Sequence, residues 1–76
     1  MDKQTYLIHL GRNIVRIRTV KGWSQSDLAR ATEKDRQSIE RLENGKVNPS
    51  IYYLYEIALA LKVSVPELLS FEINNL

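Results

Sequence analysis

The chain has 76 residues, which is room for one small domain and no second hydrophobic core. It has no cysteine, so disulfides and thiolate metal sites are excluded, and 43% hydrophobic with 26% charged residues is a globular balance rather than a disordered or membrane-embedded one. The net charge of +2 is small but unevenly spread: nine bases meet five acids between Arg12 and Lys46, whereas from Val47 onward Lys62 faces Glu56, Glu67 and Glu72. An anionic partner suits the first part and not the second. The opening Met1-Asp2-Lys3-Gln4-Thr5 lacks the apolar stretch of a secretion signal, and no apolar run is long enough to span a bilayer. A cytoplasmic location and no membrane partner are expected.

The first helix is predicted from about Lys3 to Lys21, because Leu7, Leu10, Ile14, Ile17 and Arg18 recur three or four apart and share one face. Gly22 follows as a left-handed stop, with Lys21 complementing the helix dipole. Ser24 and Asp27 then form a capping box, Trp23 can staple onto Leu28, and the second helix should end near Ala31. Asp35 caps a third helix to about Glu43 with Ile39 and Leu42 inward, and Asn44-Gly45 ends it in a turn. Ser50 caps a fourth helix through Leu61, whose predicted buried stripe is Ile51, Leu54, Ile57, Ala58 and Leu61. A second capping box, Ser64-Val65-Pro66-Glu67, opens the last helix, and Val63 can staple onto Leu68. The expected fold is a compact all-α unit of five helices over residues 1–69, with a tail at 70–76. Nothing reads as a strand hairpin or a repeat.

Residues 24–46 carry the most information. Two short helices joined by three or four residues cannot lie antiparallel; they cross steeply, and one can project while the other braces it. The projecting helix would carry Arg36, Gln37 and Arg41 outward, and arginine and glutamine make paired hydrogen bonds to guanine and adenine edges in the major groove. The segment resembles the helix-turn-helix of lambdoid phage repressors and Cro proteins. The likeness runs from Leu10 to Leu69: Leu10-Gly11, Ile14, Ile17 and Arg18; Gly22, Ser24-Gln25 and Leu28-Ala29; then Ile39, Arg41-Leu42-Glu43-Asn44-Gly45-Lys46 and Asn48-Pro49-Ser50.

That resemblance implies a transcriptional regulator, a repressor or autoregulator, which binds double-stranded DNA with no cofactor and no metal. It implies that Arg36, Gln37 and Arg41 read bases, that Gln25, Asn44 and Lys46 hold the phosphate backbone, and that Ser38 reaches a phosphate or a base. It also implies a buried ion pair between Arg18 and Glu43. Tyr52, Tyr53 and Tyr55 are expected to be packing or half-exposed residues, a phosphate contact from Tyr52 or Tyr53 being the lesser alternative. One small recognition helix covers few base pairs, so a homodimer is expected. The tail residues Leu69, Phe71, Ile73 and Leu76 could close over the monomer core or form a two-fold interface with the last helix, and the interface is the favoured expectation.

The chain departs from the family in the turn between the second and third helices. A glycine and a buried aliphatic residue are usual there; Glu33 and Lys34 stand in their places. Glu33 must then go left-handed, and Lys34 is expected to lay its stem over the core and reach its amine to water. Catalysis fares badly as a rival function. His9 is the one histidine, no carboxylate pair is spaced for acid–base work, and there is no Gly-rich phosphate loop. A protein-interaction module, such as an antitoxin-type partner, is the alternative use of the same fold. Neutralisation of the basic face by Glu33 and Glu40 would favour it.

Overall fold

A computed structural model describes residues 1–71. Five helices follow in order: α1 (Lys3–Val20), α2 (Gln25–Thr32), α3 (Arg36–Glu43), α4 (Ile51–Leu61) and α5 (Val65–Leu68). Among the described residues there is no strand. The expected tail residues Ile73 and Leu76 lie outside the described residues.

Every helix opens on a side-chain cap. Asp2, Ser24, Asp35, Ser50 and Ser64 each sit in extended backbone and accept a hydrogen bond from the N–H three residues on. The boxes Ser24/Asp27 and Ser64/Glu67 are both closed reciprocally. The first four helices stop in one way: a residue at positive φ follows, and the next N–H reaches back to a carbonyl of the last turn. Gly22 and Gly45 fill that position after α1 and α3, but Glu33 (φ 57°) and Lys62 (φ 60°) fill it after α2 and α4. The closing bonds run from Trp23 to Arg18, Lys34 to Ala29, Lys46 to Arg41 and Val63 to Ala58, at 2.9–3.1 Å.

The core joins Leu10 and Ile14 of α1, Leu28 and Ala29 of α2, Ile39 and Leu42 of α3, Leu54, Ile57, Ala58 and Leu61 of α4, and Leu68 of α5. Trp23, Val63, Leu69 and Phe71 pack on its margin, so the described start of the tail lies against the core of its own chain. Ile51 does not join the stripe predicted for it; it is 74% exposed. At the first position of α4 it overhangs the body, beside a shallow groove lined by Met1, Tyr6 and Leu7, where nothing covers it among the described residues.

Gly11 decides how closely α1 approaches α3. A Cβ there would stand 2.2 Å from the Glu43 carbonyl oxygen, backbone that cannot move aside. Any larger residue would push the end of α3 away from α1. Two polar side chains of α1 fasten other elements. Asn13 donates to the carbonyls of Glu67 and Leu68 at 3.1 and 2.8 Å, tying down α5, and Gln4 donates to the Gly45 carbonyl at 3.0 Å.

Candidate nucleic-acid interface

Burial of Ile39 and Leu42 fixes which side of α3 faces in, and so which faces out. Arg36, Gln37, Glu40 and Arg41 are all exposed, and Asn44 and Lys46 continue the surface past the helix end. Among the described residues, the side chains of Arg36, Gln37, Arg41 and Lys46 make no hydrogen bond or ion pair within the chain, so their donors point to solvent. Asn44 turns its amide back to the Glu40 carbonyl at 2.9 Å, which leaves its oxygen outward. Ser38 is half-buried. The Ser38 hydroxyl and backbone N–H hold the Asp35 carboxyl below the usual carboxylate range. Asp35 therefore stays charged as the cap of α3 through the neutral range.

The far end of α3 rests on a buried charge cluster. Arg18 forms two parallel bonds to Glu43, Nε to Oε2 at 2.7 Å and Nη2 to Oε1 at 2.9 Å, and its Nη1 donates to the Trp23 carbonyl at 2.9 Å. Side-chain exposure is 10% for Arg18 and 2% for Glu43, so neither charge is hydrated and each depends on the other. Gln25 joins this cluster: its Nε2 donates to Glu43 Oε1 at 2.9 Å. The implied phosphate-binding glutamine is thus held by the ion pair, with its second N–H and its carbonyl still uncommitted. Sequence reading treated Gln25 and the Arg18–Glu43 pair as separate features; only their proximity in space makes them one unit.

The near end of α3 is held differently. Lys34 does not simply extend into water: its Nζ meets Glu56 Oε1 at 3.0 Å and lies 4.9 Å from the centre of the Tyr53 ring. Tyr53 is half-buried with its hydroxyl enclosed and unpartnered, so it cannot make the phosphate contact considered for it. Burial, with Asp35 and Glu56 nearby, pushes its phenol above the usual value. Tyr52 is 67% exposed and its ring lies tilted against that of Tyr55. Glu56 was not singled out from sequence, since nothing in its spacing pairs it with a residue 22 positions earlier.

The rest of the surface bears on other chemistries. Among the described residues no group of His, Asp or Glu is placed to hold a metal ion, and no helix is long and apolar enough to cross a membrane. His9 stacks on Phe71 at 6.0 Å between ring centres, on the side of α1 that also carries Arg12 and Arg16.

Known proteins share this arrangement. Residues 14–68 match the family model described as Helix-turn-helix. The chain is 38% identical over 61 residues to the uncharacterized HTH-type transcriptional regulator y4dJ of Sinorhizobium fredii, covering 80% of this chain and 79% of that protein. Among solved structures, the restriction-modification controller protein C.AhdI from Aeromonas hydrophila superposes with a TM-score of 0.79 at 34% identity, over 82% of this chain and 94% of that one. The hypothetical transcription factor NHTF from Neisseria gives 0.82 at 33% identity, over 92% and 80%. The clp gene regulator ClgR from C. glutamicum gives 0.80 at 28% identity, over 84% and 83%.

Proposed function

The chain belongs to the helix-turn-helix family of DNA-binding transcriptional regulators, and we propose that it acts as a repressor or autoregulator, binding a short inverted repeat as a homodimer with α3 in the major groove. The observation that carries this reading is the outer face of α3: Arg36, Gln37 and Arg41 exposed, unpaired, and spaced over one turn of a helix whose other side is locked into the core. Arg36 and Arg41 suit the paired acceptors of guanine, and Gln37 suits adenine. Glu40 lies between them, exposed and in no ion pair with them, and can accept from the amino group of cytosine. Gln25 through its free N–H, Asn44 and Lys46 contact phosphates on either side and set the register; Ser38 adds a phosphate contact.

Each protomer presents one eight-residue α3, so two are needed to cover an operator, and half-site centres should lie about one helical turn apart. The two-fold contact falls to α5 and the chain beyond it, where Leu69 and Phe71 already lie at the surface of the core. The function is binding alone, in the cytoplasm, with no reaction and no cofactor.

Selection of bound sequences from random duplex DNA tests the whole reading. Enrichment of an inverted repeat with that spacing is the expected result. Retention of duplexes without any enriched sequence, or no retention, would overturn it. Replacing Gln25 by alanine should then weaken operator and random DNA alike, whereas the α3 arginines should matter for the operator alone.

A further inference from the structure

We propose that Lys34, seated on the Tyr53 ring and paired with Glu56, is a positioning residue that sets the tilt of α3, and so the sequence preference of the interface; this rests on the reading of α3 as the base-reading helix. Lys34 immediately precedes the N-cap of α3 and immediately follows the left-handed Glu33, so its backbone is the hinge between the two helices of the motif. Helix α3 itself packs on α1 and α2, while α4 packs on α2 and α5. Lys34 adds a polar tie between the start of α3 and α4, made by a 3.0 Å ion pair and by the ring 4.9 Å beneath the amine.

The chemistry of the tie explains the residues used. A buried aliphatic side chain would hold the turn by packing, pressed to the depth that the core allows. A lysine cannot sink its amine, so it lies across the Tyr53 face, where the ring's negative face and the Glu56 carboxylate both attract the charge. Side-chain exposures of 27% for Lys34 and 31% for Glu56 keep the pair at the surface. The contact sets a height for the turn different from that of an apolar plug, and Arg36, two residues on, inherits the difference. The Tyr53 hydroxyl plays no part, having no partner.

Four variants test the proposal: Glu56→Gln, Lys34→Met, Tyr53→Phe, and the exchange Lys34→Glu with Glu56→Lys. Affinity of each is measured for the selected operator and for random duplex, alongside thermal melting and the backbone amide shifts of residues 36–41. Glu56→Gln and Lys34→Met should lower the ratio of operator to random affinity by about two- to fivefold, the reach of a partly exposed ion pair. The exchange should restore only the part of the ratio that the ion pair supplies, because the negative face of the Tyr53 ring repels a carboxylate, and Tyr53→Phe should leave the ratio unchanged. Glu56→Gln should also shift the amides of the first turn of α3 in the absence of DNA. Equal losses on both DNAs, an exchange that restores none of the ratio, or α3 amides that do not move in Glu56→Gln would each overturn the proposal. If the wild-type chain selects no sequence, the DNA-reading assignment fails instead, and the amide shifts alone still decide whether the tie holds α3.

Discussion

The two ends of α3 are anchored by opposite means. At its C-terminus, Glu43 is 5% exposed, locked by Arg18 and Gln25, with α1 at backbone contact through Gly11. At its N-terminus, a left-handed glutamate and a surface lysine hold the turn against α4. The buried anchor is stiff because each charge has lost its water and is held by the other and by fixed neighbours, the Trp23 carbonyl and the Gln25 amide. The surface anchor is soft because water competes for both ions. A recognition helix hinged firmly at one end and loosely at the other keeps its fold when the loose end is changed, so changes there alter aim and changes at the buried end alter folding.

Removing one partner of the buried pair is the strongest way to break that contrast. Glu43→Ala strands the Arg18 guanidinium in the interior and should destabilise the domain by about 3–5 kcal/mol, read as thermal or denaturant unfolding. An unchanged melt would mean that the pair is dispensable and the two ends are alike. The next effect is on binding. Arg36→Ala and Arg41→Ala should each cost about 1–3 kcal/mol on the operator, relax base choice at one position, and leave folding untouched. Titration of wild-type and variant operators checks it, and equal losses on random duplex would make these arginines phosphate contacts.

A gain is expected at the soft end. Glu33→Gly should stabilise by up to about 1 kcal/mol, because glycine adopts positive φ without a Cβ clash, less the entropy it adds to the unfolded chain. Chemical denaturation measures it, and a loss would show that the Glu33 side chain holds the turn.

The smallest effect is with acid. Asp2, Asp27 and Asp35 are held below their ordinary value of 3.8 by the backbone and side-chain groups of Thr5, Ser24 and Ser38 that hydrogen-bond to them. A depressed folded-state value means that the unfolded chain takes up the proton first as pH falls. Their contribution is thus complete above the ordinary value of 3.8 and is lost progressively as pH drops from there through the lower, folded values. Melting followed from neutral pH into this range should decline, and replacing Asp35 by asparagine should flatten the decline while keeping the cap.

Most of the fold was legible because its signals are local. Caps at Ser24, Asp35, Ser50 and Ser64 and stops at Gly22 and Gly45 act on neighbouring peptide groups, so reading a few residues suffices to place the helix ends. The helices end within a residue of where these signals put them. The inward stripes followed from periodicity, except at Ile51, where periodicity tells which face a residue shares but not whether the body extends far enough to cover it. For the site, the exposure of Arg36, Gln37 and Arg41 followed from the burial of Ile39 and Leu42 on the opposite side. The Arg18–Glu43 pair was implied by family likeness, not by spacing, since residues 25 apart carry no local sign of meeting.

The order of residues by itself determined the five helices, their ends and the polar face of α3, because capping, handedness at a stop and helical period are interactions between near neighbours. Tertiary structure decided the height and tilt at which that face is held. Lys34 finding Glu56, Gln25 finding Glu43 and Gly11 admitting the backbone of α3 are contacts between segments that only packing brings together. Such contacts depend on distances of a few ångströms summed over the whole body, which no short stretch of sequence encodes.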